Sequence, residues 1–222
     1  MADKITVVRC GTVPYAEAWE MQRHLAARRQ REEIGDVLLL LEHPPVYTRG
    51  RRSKPEELPM GASWYEAQGI EVLDTDRGGL VTYHGPGQLV AYPIVQLRGY
   101  GGDVHEYVRG LERTMTGALA EAGVRAGVIE GLTGVWVGTR KIGSIGLHVS
   151  RGVTTHGLAV NVSNDLQPFE WIVPCGIEGV AMTSLSRELG AEQDVGAFAD
   201  MVVAAYASVF DREPVAADGV TA

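Results

Sequence analysis

The sequence predicts an α/β chain in which short strands outnumber helices, and three observations carry that reading. A purely apolar run, Val37 to Leu41, sits between Gly35 and Pro44, too short for a core helix and suited to a strand buried on both faces. Between Gly134 and Val162 three extended segments are separated by turn residues, the pattern of a β-meander. Elsewhere, apolar residues recur at helical spacing in three stretches.

Taken in order, Ile5 to Arg9 reads as a strand. Tyr15, Ala18, Trp19, Gln22 and Leu25 then mark an amphipathic helix through about Arg31. The strand at 36–43 follows, and after it PPVYTRGRRSKPEELP reads as a long polar loop, of the kind that serves as lid or docking surface. Ile70 to Thr75 is a strand that feeds a glycine loop, with Gln88 to Leu97 extended on its far side. Asp103 caps the next helix, with Glu106 placed to reach back. Val104, Tyr107, Val108, Leu111, Met115 and Leu119 form its stripe, and the helix ends near Gly123. The meander strands are Gly134 to Val137, Lys141 to Val149 and Thr155 to Val162. A last helix covers about Asp194 to Phe210. One domain is expected over 1–212, with 213–222 a frayed tail.

Composition narrows the function. A formal charge of −8 over 222 residues argues against nucleic acid, which is normally held by a basic face. No apolar run approaches bilayer thickness, so membrane insertion is not expected. The two cysteines, Cys10 and Cys175, follow no apolar signal core, and both read as reduced thiols of a cytoplasmic protein. Arg49, Arg51, Arg52 and Lys54 form a local basic cluster, a solvated loop or a contact for an acidic partner.

Three features carry chemistry. RGGLVTYHGPGQLVAY, Arg77 to Tyr92, sets glycines and a proline around His84 within strand-like text. It is either an ordinary hairpin or a loop whose backbone approaches a ligand. Cys175, in VPCGIEG, is flanked by Pro174 and Gly176, which would present a thiol at a strand end; a lone cysteine is otherwise a packing residue. Lys141, in GTRKIGSIGLH, has small neighbours that leave room for a ligand beside its stem; its plain alternative is a surface lysine. Lys141, His84 and His156 are the groups available to activate the thiol. His84, His148 and His156 lack metal-ligand spacing and no metal is expected, nor is there a GxxxxGK[ST] or GxGxxG run.

With these residues in hand, the chain resembles the octanoyltransferases of lipoate biosynthesis, the lipoyl(octanoyl) transferases. The resemblance rests on RGGLVTYHGPGQLVAY, GVWVGTRKIGSIG, THGLAVNV and IVPCGIEGVAMTSL, which fall in family order between about Asp36 and Leu189. It implies a mixed, largely antiparallel sheet flanked by helices, similar to the catalytic module of biotin and lipoate protein ligases. It further implies octanoyl-acyl carrier protein as donor, no cofactor, and as acceptors the lipoyl domains of 2-oxoacid dehydrogenase E2 subunits and the glycine-cleavage H protein. Cys175 and Lys141 are then the catalytic pair. Substrate falls to Arg77, Gly78, Gly79, Leu80, Val81, Thr82, Tyr83 and His84, to Ser144, Ile145 and Gly146, and to Gly157, Leu158 and Ala159. The competing readings are an ATP-dependent ligase on the same fold, a non-catalytic module that binds an acyl carrier or lipoyl domain, and a plain thioesterase.

Overall fold

The computed structural model describes residues 2–172 and 180–217. Eight strands form one sheet: β1 (Asp3–Thr12), β2 (Asp36–Glu42), β6 (Gln88–Ile94), β7 (Gly127–Ile129), β8 (Leu132–Val137), β9 (Arg140–Ser150), β10 (Val153–Asn161) and β11 (Arg212–Ala217). Their order is β11-β1-β2-β6-β10-β9-β8-β7. β1 runs parallel to β11 and β2, and the remaining five pairings are antiparallel. A small sheet of β3 (Val46–Arg49), β4 (Glu71–Asp74) and β5 (Val81–His84) has the order β4-β3-β5.

Strand alternation explains the layers. Leu38 and Leu40 face one side of the large sheet, where they pack with Tyr107, Leu111 and Met115 of α3 (Val104–Glu121) and Phe198, Val202 and Tyr206 of α5 (Val195–Phe210). Leu39 and Leu41 face the other side, against Ala18 and Leu25 of α1 (Tyr15–Gln30). β2 is thus covered on both faces, as its unbroken apolar run requires. Asp103 caps α3 by accepting the Glu106 N–H at 2.9 Å, and Asp194 caps α5 by accepting that of Ala197 at 2.6 Å, each contact contributing about 1 kcal/mol. The Tyr107 and Tyr206 hydroxyls, 2.8 Å apart, tie the two helices together.

Three sequence expectations need correction, and one open alternative is decided. The 44–59 stretch is not one polar loop: Val46, Tyr47 and Thr48 form β3 and are buried among Tyr65, Tyr83 and Phe169, which makes the stretch a wall of the small sheet. Residues 213–217 are not frayed, because Arg212 to Ala217 pair in register with Asp3 to Val8 as β11. Val104, at the start of the α3 stripe, is 39% exposed. Of the two readings left open for the glycine loop, the ordinary hairpin falls, since β5 and β6 lie in different sheets. Two short α-helices, α2 (Ala62–Ala67) and α4 (Leu185–Leu189), and three 3-10 turns at Pro55–Glu57, Leu97–Tyr100 and Gln167–Trp171 are the other elements among the described residues. Among the described residues no helix is long and apolar enough to cross a membrane.

Candidate active site

A cavity of about 480 Å³ lies between the glycine loop, β9, β10, β8 and the first turns of α3. Lys141 lines one end. Register pairs His156 of β10 with Leu147 of β9, six residues along from Lys141, so the two ends are separated by about 20 Å of strand.

At the lysine end the side chain is withdrawn from solvent: Lys141 is 4% exposed, with Nζ 5.4 Å from the centre of the Trp136 ring. Its backbone is held on both sides by the chain that follows the Cys175 segment. The Lys141 N–H donates to Ala181 O, and the Thr183 N–H donates to Lys141 O, both at 2.9 Å. Gly134 on β8 leaves the space that the lysine stem fills. A Cβ there would lie 2.8 Å from Lys141 Cε and 2.5 Å from Gly143 O, and Gly134 holds φ of +120°.

The far end is a buried cluster of rings that the sequence did not bring together. His43 Nδ1 donates to Val13 O at 2.6 Å, so its Nε2 accepts from the Tyr92 hydroxyl at 2.8 Å; burial drives this imidazole down to about 4. His84 Nδ1 donates to Gln88 Oε1 at 2.7 Å, and burial, with His43 and Arg77 adding to it, holds His84 well below the usual histidine range. Tyr15 stacks on His84 with 5.9 Å between ring centres. Its own hydroxyl is pushed up to about 12 by burial.

His156 is bound on three sides. Its N–H donates to Gln22 Oε1 at 2.6 Å, its Nε2 donates to Asp76 Oδ1 at 2.6 Å, and its Nδ1 accepts from the Tyr15 hydroxyl at 3.2 Å. Burial lowers its pKa against the pull of Asp76, whose carboxyl is in turn lowered, chiefly by the same hydrogen bond.

Arg77 shapes the loop between the ends. Although charged, it is 7% exposed. Its guanidinium donates to Thr48 O at 2.6 Å, Leu80 O at 2.7 Å, Gly78 O at 3.0 Å and the Thr48 hydroxyl at 2.8 and 3.0 Å. A planar fork of donors can gather three carbonyls in this way, and they fold residues 77–80 back over the small sheet.

Of the residues expected from sequence that lie among the described ones, all but Tyr83 fall together. Arg77 to Thr82, His84, Lys141, Ser144 to Gly146 and Gly157 to Ala159 all line the cavity. Tyr83 does not: alternation along β5 turns it into the small-sheet core, 5.5 Å from Tyr47 and 5.4 Å from Phe169 between ring centres. Cys175 lies outside the described residues. Cys10 is half-buried, and burial raises its thiol. In the basic cluster Arg49 pairs with Asp74 at 2.7 Å, while Arg51, Arg52 and Lys54 are exposed and Arg52 lines the cavity. Tyr15, Tyr92 and Trp136 are lining residues that sequence reasoning did not name for the site.

The chain's fold is that of the lipoate and biotin protein ligase catalytic modules. Superposition on a bi-partite lipoate protein ligase from Thermoplasma acidophilum gives a TM-score of 0.76 at 14% identity, covering 100% of this chain and 88% of that one. Lipoate-protein ligase A bound with ATP gives 0.69 at 14% identity, with 98% and 90% covered. Biotin protein ligase from Aquifex aeolicus gives 0.53 at 11%, with 94% and 69% covered. Residues 14–207 match the lipoyl protein ligase A/B catalytic domain. In sequence the chain is 50% identical to the octanoyltransferase of Chloroflexus aggregans over 95% of its own length and 97% of that protein's. It is 46% identical to that of Roseiflexus, with 95% and 89% covered. The chain belongs to the octanoyltransferase family within the lipoyl protein ligase A/B catalytic domains, and its activity is acyl transfer.

Proposed function

We propose that this enzyme takes an octanoyl group from octanoyl-acyl carrier protein and delivers it to a specific lysine of a lipoyl domain, through a thioester on Cys175. The acceptors on this reading are the E2 subunits of 2-oxoacid dehydrogenases and the glycine-cleavage H protein. The observation that carries it is Lys141: a buried lysine at the cavity end, its backbone fastened to Ala181 and Thr183, a few residues beyond Cys175 in the chain. The acceptor class draws support from the matched Thermoplasma ligase, which is described together with its E2 lipoyl domain.

In the first half-reaction the Cys175 thiolate attacks the donor carbonyl. A carbon–sulfur bond forms, the tetrahedral intermediate collapses, and the carrier's thiolate leaves, taking a proton from the Lys141 ammonium. In the second, the acceptor amine attacks the Cys175 thioester, Lys141 takes the proton the amine sheds, and the cysteine leaves as thiolate. A thioester becomes an amide, so no ATP is required. Backbone N–H groups near Ser144 to Gly146, the His84 loop or the cysteine segment are the oxyanion donors on this reading, each contributing about 3 kcal/mol. The glycine loop and Gly157 to Ala159 form the acyl wall, where each buried CH₂ contributes about 0.8 kcal/mol. The nucleophile must remain a thiol, in keeping with a reducing cytoplasm.

The test is the intact mass of the protein after incubation with octanoyl-acyl carrier protein without ATP, beside Cys175→Ala. One octanoyl adduct in the wild type alone, discharged by a lipoyl domain, is expected. No adduct, with transfer from free octanoate that requires ATP, would move the enzyme to the ligase chemistry of its structural neighbours.

A further inference from the structure

α3 presents a stripe to the cavity at four-residue spacing, Val104 then Val108, and the next position on it is Glu112. A glutamate there is unexpected, because Glu112 is 1% exposed and a carboxylate without water is costly unless its oxygens are satisfied. Both are. Oε2 accepts from Arg109 Nη1 at 2.7 Å, and Oε1 accepts from the Gly134 N–H at 3.0 Å. Gly134 is the residue whose missing side chain makes room for Lys141: a Cβ there would stand 2.8 Å from Lys141 Cε and 3.3 Å from Nζ. One peptide group therefore lies between a buried carboxylate and the buried ammonium.

We propose that Glu112 is a positioning residue for Lys141, holding the Gly134 peptide at its positive φ so that the lysine slot stays open and the ammonium stays at the reacting end of the cavity. The inference rests on Lys141 as the proton shuttle of the proposed reaction. Arg109, half-exposed on its outer side, neutralises the carboxylate from α3 itself. A slot kept by supporting contacts matters because small displacements of a reacting group lower turnover far more than they lower binding.

The experiment measures octanoyl transfer from octanoyl-acyl carrier protein to a lipoyl domain for Glu112→Ala and Glu112→Gln, each in the wild-type and Lys141→Ala backgrounds, with Tm recorded for all. Glu112→Ala is expected to lower kcat about tenfold with KM for donor and acceptor within about twofold. Glu112→Gln, whose amide oxygen still accepts the Gly134 N–H, keeps kcat within roughly threefold. Neither lowers the residual rate of Lys141→Ala further. An equal fold-loss on top of Lys141→Ala, or a rise in KM at unchanged kcat, overturns the positioning role. Should Glu112→Ala not fold, Glu112→Met, which fills the same space without an acceptor for the Gly134 N–H, carries the same test in the two backgrounds, with the same outcomes expected. A Lys141→Ala variant as fast as wild type would overturn the shuttle reading together with this one, whereas additivity on an impaired Lys141→Ala removes the positioning role alone.

Discussion

His156 and Asp76 are joined by a 2.6 Å hydrogen bond from imidazole Nε2 to carboxylate Oδ1, and the histidine takes φ of +56° in the middle of a strand to make it. A non-glycine residue in the left-handed region costs on the order of 1–3 kcal/mol, so the surroundings must hold it there. Gln22, Tyr15 and Asp76 are the groups that do.

Asp76 raises the His156 pKa while burial lowers it. Replacing Asp76 with Asn removes the opposing charge, so the imidazole should titrate at a lower pH than in the wild type. NMR titration of the ring protons checks this; an unchanged or higher midpoint would show that the carboxylate does not act on the ring.

Folded-state stability should fall on mild acidification. The His43 imidazole is driven from 6.5 to about 4, so below pH 6.5 the unfolded chain takes up a proton that the folded chain refuses. The His43 contribution is complete above pH 6.5 and is lost as pH falls toward 4, about 3 kcal/mol in all. His84 and His156, both lowered, act in the same sense. Urea midpoints at pH 7.5 and 4.5 should separate, and less so in His43→Gln. Equal slopes in the two proteins would assign the acid sensitivity elsewhere.

Arg77→Lys keeps the charge and loses the fork. A single ammonium cannot serve Thr48, Gly78 and Leu80 together, so the change should cost on the order of 3 kcal/mol and lower transfer with it. Wild-type Tm in this variant would show that charge alone holds the loop.

Gly157→Ala would place a methyl 2.2 Å from Ala91 O and 2.6 Å from Pro93 Cδ, between paired backbones that cannot part cheaply. A loss of about 3 kcal/mol is expected. Gly127→Ala, with nothing within 4 Å, should be close to neutral. Thermal melts of the pair decide whether close backbone approach, rather than loss of glycine as such, is the cause.

Truncation after Asp211 removes β11 and leaves β1 as a sheet edge. It also removes Arg212 from its place 4.2 Å over the Tyr100 ring. A cost of about 2 kcal/mol, or about 5 °C in Tm, is expected. An unchanged Tm in the shortened chain would deny β11 a structural part.

Strongly patterned elements were legible in the sequence. β2 is announced by VLLLL between two chain breakers, and α3 by a capping Asp103 and a 3.6-residue stripe. β3 and β11 were not legible, for different reasons. Val46 to Arg49 is a short strand set among prolines and charges, and its burial comes from aromatic rings far along the chain. Arg212 to Ala217 has no apolar period, because its pairing with β1 leaves most of its side chains exposed. In the site, the glycine loop and the lysine strand carry local signals, whereas Tyr15, His43 and Tyr92 meet only through the crossing of α1, β2 and β6. The available hint was polarity out of place: His43 directly after an apolar strand, and Gln22 on the buried stripe of a helix.

The bond between His84 and Gln88 rivets the small sheet to the large one across a turn of three residues. Surface turns commonly absorb insertions, because nothing downstream depends on their length. Here an added residue would part His84 from Gln88 or push β6 along its axis. β6 is buried throughout and paired on both edges, with β2 and β10, so a slip of one residue would exchange its two faces. Length changes are thus confined to places such as the exposed stretch around Pro59 to Gly61, and the turn that looks most expendable in the sequence is a fixed spacer between two sheets.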